Sequence, residues 1–231
     1  MFSGRFGSGK TEASINYAMR LAQGWFLTPG GWVRGADPVH PYLIDLDIVT
    51  PYFRSRETIE VMARVGVEVI EPSAASRHLD MPAISPEILG AIEQPDRPTV
   101  VDLGGDPQGA RALGQYSAVI TRSAYRGLFV VNPFRPFTGT VEAIRQSLSA
   151  VEATARVKMT ALVSNPNIMA QTTLHEVTSG HALVRLAAGE LGLPIALMCI
   201  HEGAPYLSDR WEDGTPILPL HRYMELDWFD A

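Results

Sequence analysis

Cysteine is almost absent from this chain: Cys199 stands alone among 231 residues. A single thiol excludes an internal disulfide and fits a reducing, cytoplasmic setting. It also excludes Cys-x-Cys and Cys-x-x-Cys metal pairs. Cys199 and His201 are close in sequence, but two ligands do not make a metal centre, and a buried thiol on a strand is the expectation. Positive charge is scarce too. Nineteen Lys and Arg face 25 Asp and Glu, giving a net charge of −6 and a pI of about 5.5. Tight, sequence-independent binding to nucleic acid needs a basic face, so it is disfavoured. No run approaches the roughly 20 apolar residues of a membrane span, and the acidic end of the chain argues against a basic helix lying on a membrane. There is no internal repeat and no low-complexity tract.

What is present begins at once. Gly4-Arg5-Phe6-Gly7-Ser8-Gly9-Lys10-Thr11 fits G-x-x-x-x-G-K-[ST] without a mismatch. Glycines let the backbone curl so that successive N–H groups point at phosphate oxygens. Lys10 would reach the β- and γ-phosphates, and the Thr11 hydroxyl would ligate Mg²⁺. Glu12 follows as a further nucleotide-binding candidate. Residues 11–23 have helical spacing, with Ile15, Ala18, Met19 and Ala22 on one side, and the positive end of such a helix would face the phosphates. A phosphate loop in this position also argues against a signal peptide. Only Met1, Phe2 and Ser3 precede it, whereas a usual strand has about five residues. The expectation is a first strand that is cut short, with a few apolar residues missing ahead of Met1.

Short apolar runs alternate with helical patterns along the chain. Strands are expected at 42–44 (continuing into Asp45-Leu46-Asp47-Ile48-Val49), 67–70, 99–103, 127–131, 159–163 and 194–200. Helices are expected at 11–23, 55–65, 86–93, 108–122, 140–155 and 173–191. That alternation implies a three-layer α/β fold of the P-loop NTPase kind, with a mostly parallel central sheet flanked by helices. Ligands then bind beyond the carboxyl ends of the strands. With 46% hydrophobic and 19% charged residues, the chain suits one large domain, or one domain with an extension. The division read here is a nucleotide-binding domain over 1–202 and an irregular extension over 203–231 packed on it. Residues 24–41 are too long for an ordinary connection; a lid, a partner site, a small hairpin and a passive insertion all remain open.

Several polar groups follow predicted strands. Asp102 ends an apolar run and is followed by Gly104 and Gly105. It would hold Mg²⁺ through water, and the Asp-x-x-Gly spacing would let the Gly105 N–H approach a γ-phosphate. The alternative is a cap for the next helix. Alternation puts Asp45 and Asp47 on one face of their strand, and such a carboxylate pair is costly without a metal or cation nearby. The segment behind them, through Arg54 and Arg56, reads as a switch loop whose arginines contact phosphate or a partner, or else pair with local acids. Asn165 carries a donor and an acceptor on one amide and could read an adenine edge, or simply open an Asn-Pro turn. His175 and His181 are expected on a helix surface.

These motifs together resemble the MinD/ParA class of P-loop ATPases, whose deviant Walker A loop reads G-K-G-G-x-G-K-[ST]; nitrogenase iron protein and the carbon monoxide dehydrogenase maturation ATPase are members. The stretches GRFGSGKTE, DLDIVTPYFRSRE and DLGGDPQGARALGQY are most like bacterial members whose roles are not known. The resemblance spans residues 4–167. It implies that Arg5 occupies the position of the signature lysine, which reaches the partner's nucleotide across a face-to-face dimer. It implies that Asp47, a metal-site residue as well, positions the attacking water, that Asp102 is the Walker B aspartate, and that Asn165 reads adenine. Arg5 in place of lysine keeps the charge but changes the geometry, and Phe6 replaces a glycine.

The function expected on these grounds is a Mg²⁺-dependent ATP-binding and hydrolysing switch. Lys10, Asp47 and Arg5 would be catalytic; Gly7, Ser8, Gly9, Lys10, Thr11, Glu12, Gly105 and Asn165 would bind ATP; Thr11, Asp47 and Asp102 would hold Mg²⁺. A nucleotide-dependent homodimer and a protein partner are further expectations, without a case for nucleic acid or membrane. The alternatives are a small-molecule kinase that uses residues 24–41 as a lid, and a nucleotide-binding scaffold without hydrolysis.

Overall fold

The computed structural model describes residues 1–46, 56–70, 85–104 and 107–224. In chain order the elements are β1 (Phe2–Ser3), α1 (Lys10–Ala22), β2 (Trp25–Thr28), β3 (Gly31–Arg34), β4 (Tyr42–Leu46), α2 (Arg56–Arg64) and β5 (Glu68–Ile70). They continue with α3 (Pro86–Glu93), β6 (Thr99–Leu103), α4 (Pro107–Gly114), α5 (Ser117–Ile120), β7 (Leu128–Val131) and α6 (Val141–Ala155). The last are β8 (Ala161–Ser164), α7 (Leu174–Leu191), β9 (Ile195–His201) and β10 (Ile217–Leu220).

Eight strands form one sheet in the order β10-β9-β8-β7-β1-β6-β4-β5, and every pairing is parallel. Parallel strands need covered faces, and the strand residues alternate accordingly. Leu43, Val100, Val130 and Val163 pack on the face that holds α1 and Met62 of α2. Ile44, Val101 and Leu103 face α3, α4 and α5, while Phe129, Val131 and Leu162 face α6 and α7.

β1 is short, as expected, and sits at the centre. Phe2 pairs with Asp102 on one side and Leu128 on the other, and Ser3 pairs with Phe129. The Met1 carbonyl accepts a further bond from the Leu128 N–H at 2.9 Å. The Phe2 ring is buried and packs edge-on against Tyr17 at 5.3 Å; burying such a side chain contributes about 2–3 kcal/mol. Two ladders and one ring hold the loop up.

The chain winds outward from β1 to β4 and β5, returns to β6, then crosses β1 to build β7 through β10. Strand order therefore reverses at β1, the kind of position beyond whose carboxyl end open parallel sheets bind ligands.

Three local expectations change. The helix expected over 108–122 breaks into α4 and α5. A Cβ on Gly114 would come within 3.2 Å of the Thr154 carbonyl, so α4 ends in close backbone contact with α6. Tyr116 then turns to accept the Ser85 N–H at 2.9 Å. The extension, expected to be irregular, contributes β10 to the sheet edge in register with Met198–His201. Pro219 is tolerated there because an edge strand leaves one row of N–H groups unpaired.

Residues 25–34 form an antiparallel hairpin. Trp32 Nε1 donates to Ile217 O at 2.8 Å and Arg126 to Leu27 O at 2.9 Å. Ile217 begins β10 and Arg126 precedes β7, so the hairpin lies at the amino-terminal edge. It cannot close over a site at the opposite edge, and the lid reading of residues 24–41 fails on that geometry. No helix among the described residues is long and apolar enough to cross a membrane.

Candidate functional site

Residues 4–9 leave β1 at the carboxyl edge and curl back into α1. Ser8 N–H bonds to Arg5 O at 3.0 Å inside the curl. Gly9, at φ +82°, is the residue before α1, and a Cβ there would lie 2.2 Å from Asn165 Nδ2. Left-handed backbone and close approach both demand glycine. The helices α3, α6 and α7 have side-chain caps from Ser85, Thr140 and Thr173, but α1 has none. Its first-turn N–H groups are left for another acceptor.

Lys10 and Thr11, the first residues of α1, are buried, as are Asp45 and Asp102. Asp45 and Asp102 are register partners on β4 and β6, and strand alternation puts both on the face that holds α1. Thr11 Oγ1 donates to Asp102 Oδ2 at 2.7 Å. The helix that follows the loop and the strand beside β1 thus bring a hydroxyl and a carboxylate together, 91 residues apart in sequence.

Asn165 follows β8. Its Nδ2 donates to Ser8 O at 2.7 Å, in a buried bond, so its amide holds the loop. Among the described residues its Oδ1 is buried without a hydrogen-bond partner, and so are Ser8 Oγ and Arg5 Nε. Buried polar atoms are almost always satisfied. Such atoms gathered at one loop mark a place built for a polar ligand.

Arg5 lies over the Phe137 ring, 4.5 Å from its centroid, a cation–π arrangement. Gly7, at φ +74°, has its carbonyl bonded to Arg135 Nε at 3.1 Å. The Glu12 carboxylate turns away from the loop. It accepts from the backbone of Tyr223 at 3.2 Å and of Met224 at 2.7 Å. Burial pushes its pKa up, opposed by those two bonds and by Arg222 and His221 nearby. Only its main-chain N–H, in the first turn of α1, is placed for a phosphate.

No family model matches the chain, and no curated protein matches it. Among solved structures it is similar to a nucleotide-binding protein from Archaeoglobus fulgidus in complex with ADP. The two share 16% identity over 90% of this chain and 81% of that one, with a TM-score of 0.44.

The structure thus brings together Arg5, Gly7, Ser8, Gly9, Lys10, Thr11, Asp102 and Asn165. Asp47, Gly105 and Arg54 lie outside the described residues, and of Arg56 the backbone alone is described, in α2. Sequence reasoning missed Arg135 and Asn132. Asn132 ties two edge loops together: its Nδ2 donates to Asn167 O at 2.7 Å, and its Oδ1 accepts from Phe134 N at 3.1 Å. The available signal was position, since Asn132-Pro133-Phe134-Arg135 directly follows β7 at the same edge as the other motifs.

The histidine expectation is half corrected. His175 is exposed, but His181 is buried. It shares the inner face of α7 with Val177 and Val184. Nε2 lies 3.0 Å from an Asp213 carboxylate oxygen, which can only accept, so Nδ1 accepts from Ser164 Oγ at 2.9 Å. Burial holds the His181 pKa below its ordinary value, against the opposing pull of Asp213. Cys199 is buried in β9, and burial pushes its thiol pKa up.

Proposed function

We propose that this chain binds ATP with Mg²⁺ and hydrolyses it as a switch protein of the MinD/ParA-like class. The observation that carries this reading is the 2.7 Å bond from Thr11 to Asp102 at the uncapped start of α1. It joins the hydroxyl that ends the phosphate loop to the carboxylate on the strand beside it, as a metal-assisted phosphate site requires.

In this reading Lys10 and the amides of Gly7, Gly9 and Thr11, with the hydroxyl of Ser8, hold the phosphates. The main-chain N–H groups of Glu12 and Gly105 add donors. Thr11 and Asp102, with Asp47, would hold Mg²⁺, which would supply positive charge to neutralise the phosphates. Asp47 orients the attacking water, and Arg5 leaves Phe137 to stabilise the transferred charge, in the same chain or across a nucleotide-dependent dimer. The Asn165 Oδ1, buried without a hydrogen-bond partner among the described residues, is an acceptor that fits the amino group of adenine. Asn165 then has two tasks, one on the loop and one on the base.

Replacing Lys10 with Ala should abolish turnover while the protein stays folded; unchanged turnover would refute the loop assignment. Light scattering on Asp47→Ala with and without Mg-ATP tests the dimer. A mass that doubles with ATP supports the switch; bound ATP at constant mass removes it.

A further inference from the structure

Arg5 is the one basic side chain of the phosphate loop besides Lys10. Its guanidinium lies over the Phe137 ring, 4.5 Å from the centroid. Among the described residues no carboxylate pairs with it. Its Nε is buried and meets no hydrogen-bond acceptor there. Arg5 thus gives up water at one donor and receives a ring face in return. The ring is itself 58% exposed, and a cation over an exposed ring is held weakly. An orphaned donor beside a weak stack makes a resting place that a nearby phosphate improves on, because a guanidinium bonds phosphate oxygens through paired, charge-assisted N–H groups.

The backbone that carries the ring is fixed. Phe137 lies in the turn that follows β7. That turn closes on itself through Arg135 N–H to Asn132 O at 3.1 Å and Thr138 N–H to Arg135 O at 3.0 Å. The buried Thr138 hydroxyl donates to Asn132 O at 2.6 Å, and Ser147 of α6 donates to Phe137 O at 2.8 Å. Arg135, in the same turn, donates to Gly7 O at 3.1 Å, so the turn and the phosphate loop are tied together. One turn therefore holds the main chain of the loop with one residue and the arginine of the loop with another. Between these fixed parts the Arg5 side chain can still rotate about its own bonds.

We propose that Phe137 is a positioning residue: its ring holds Arg5 off the phosphates at rest and sets how readily that arginine is released to them. Turnover then depends on an equilibrium between a parked and an engaged Arg5, tuned by one cation–π contact. The parking stands on that contact and on the orphaned Nε; its effect on turnover rests on the proposed function.

The test uses the full chain, Phe137→Leu, Phe137→Trp, Arg5→Ala, and Phe137→Leu combined with Arg5→Ala. Without nucleotide, the Arg5 side-chain protons are followed by NMR. An aromatic face beside them moves their resonances upfield. Phe137→Leu keeps apolar bulk without that face and should return them to ordinary positions. No upfield shift in the parent chain, or a shift that survives Phe137→Leu, overturns the parking, whatever nucleotide does. Single-turnover hydrolysis of ATP with Mg²⁺ is read in parallel, so that product release does not mask the chemical step. An exposed cation–π contact corresponds to about two- to fivefold in an equilibrium. Phe137→Leu should therefore raise the hydrolysis rate by about two- to fivefold at unchanged affinity for ATP, since the arginine it frees acts on the transition state. Phe137→Trp, a stronger cation–π partner, should lower the rate. In the Arg5→Ala chain Phe137→Leu should change nothing. An unchanged or lower rate with Phe137→Leu, a change in affinity alone, or the same effect in the Arg5→Ala chain overturns the role. If the upfield shift is present and no form hydrolyses ATP, Phe137 still holds Arg5 and the functional reading fails.

Discussion

Gly9→Ala tests the build of the loop without any nucleotide. Two costs are expected. The first is backbone: at φ +82° an L-residue in the left-handed region loses about 1–2 kcal/mol relative to glycine. The second is collision. The new Cβ would sit 2.2 Å from Asn165 Nδ2, so the amide must move and release Ser8 O, which it holds at 2.7 Å in a buried bond. Leaving a buried carbonyl unsatisfied costs about 1–3 kcal/mol. Gly9→Ala should therefore destabilise by about 2–5 kcal/mol.

Asn165→Ala alone leaves the same carbonyl without its donor and should cost about 1–3 kcal/mol. In the double variant that loss is counted once, because no amide remains to be displaced. The double variant should match Gly9→Ala alone, and the coupling energy should be about 1–3 kcal/mol. Urea unfolding of the four proteins, followed by tryptophan emission, gives the cycle. Simple additivity would refute the reasoning: it would mean that Asn165 does not support the loop through Ser8, or that Gly9 accepts a side chain by another route.

Other consequences can be checked with ordinary means. Thr11→Val should destabilise by about 1–3 kcal/mol by removing the buried bond to Asp102, and a thermal melt without nucleotide reads it; an unchanged Tm would mean the bond contributes nothing in solution. His181 has a folded pKa below its ordinary 6.5, so the unfolded chain takes up the proton first. Its stability is fully present above pH 6.5 and falls as pH drops toward the folded pKa, which His181→Gln should flatten in urea midpoints between pH 7.5 and 5.5. Cys199 is buried with its thiol pKa pushed up, so a thiol reagent should label it only after unfolding; rapid labelling of the native protein would contradict the packing of β9.

Much of the architecture could be read in advance because parallel strands advertise themselves. β6 and α3 occur where apolar runs and periodicity place them, and α7 starts at a capping box in which Thr173 and Glu176 bond each other's backbone. What escaped depends on distant partners. At the break, Gly114 lies against the Thr154 carbonyl, a contact that periodicity cannot foresee. The tail looks irregular because it holds Pro, Asp and aromatic residues, yet four of its residues find an edge to join. His181 was read as a surface residue from its polarity, while its helical phase with Val177 and Val184 already marked the inner face. In the candidate site, the grouping of the loop glycines, Lys10, Thr11 and Asp102 follows the spacing of a phosphate-loop pattern, which restricts residue types. The roles of Glu12, Asn132 and Arg135 were not legible, since main-chain bonds across the fold leave no local pattern.

The parallel sheet also explains why a two-residue strand suffices. β1 lies between β6 and β7, so its backbone is bonded on both sides, and its one buried ring is covered by α1. An edge strand of that length would have one ladder and an open face. The central position is also the point where strand order reverses, so the shortest strand delivers the loop to the carboxyl edge at that reversal. The loop is held from outside as much as from below: Asn165 grips Ser8 O after β8, and Arg135 grips Gly7 O after β7. Both grips come from the half of the sheet built after the chain crosses β1, whereas Asp102 and Asp45 come from the half built before. The loop therefore cannot take its described shape until both halves have assembled around it, which makes its geometry a property of the whole sheet and not of the motif alone.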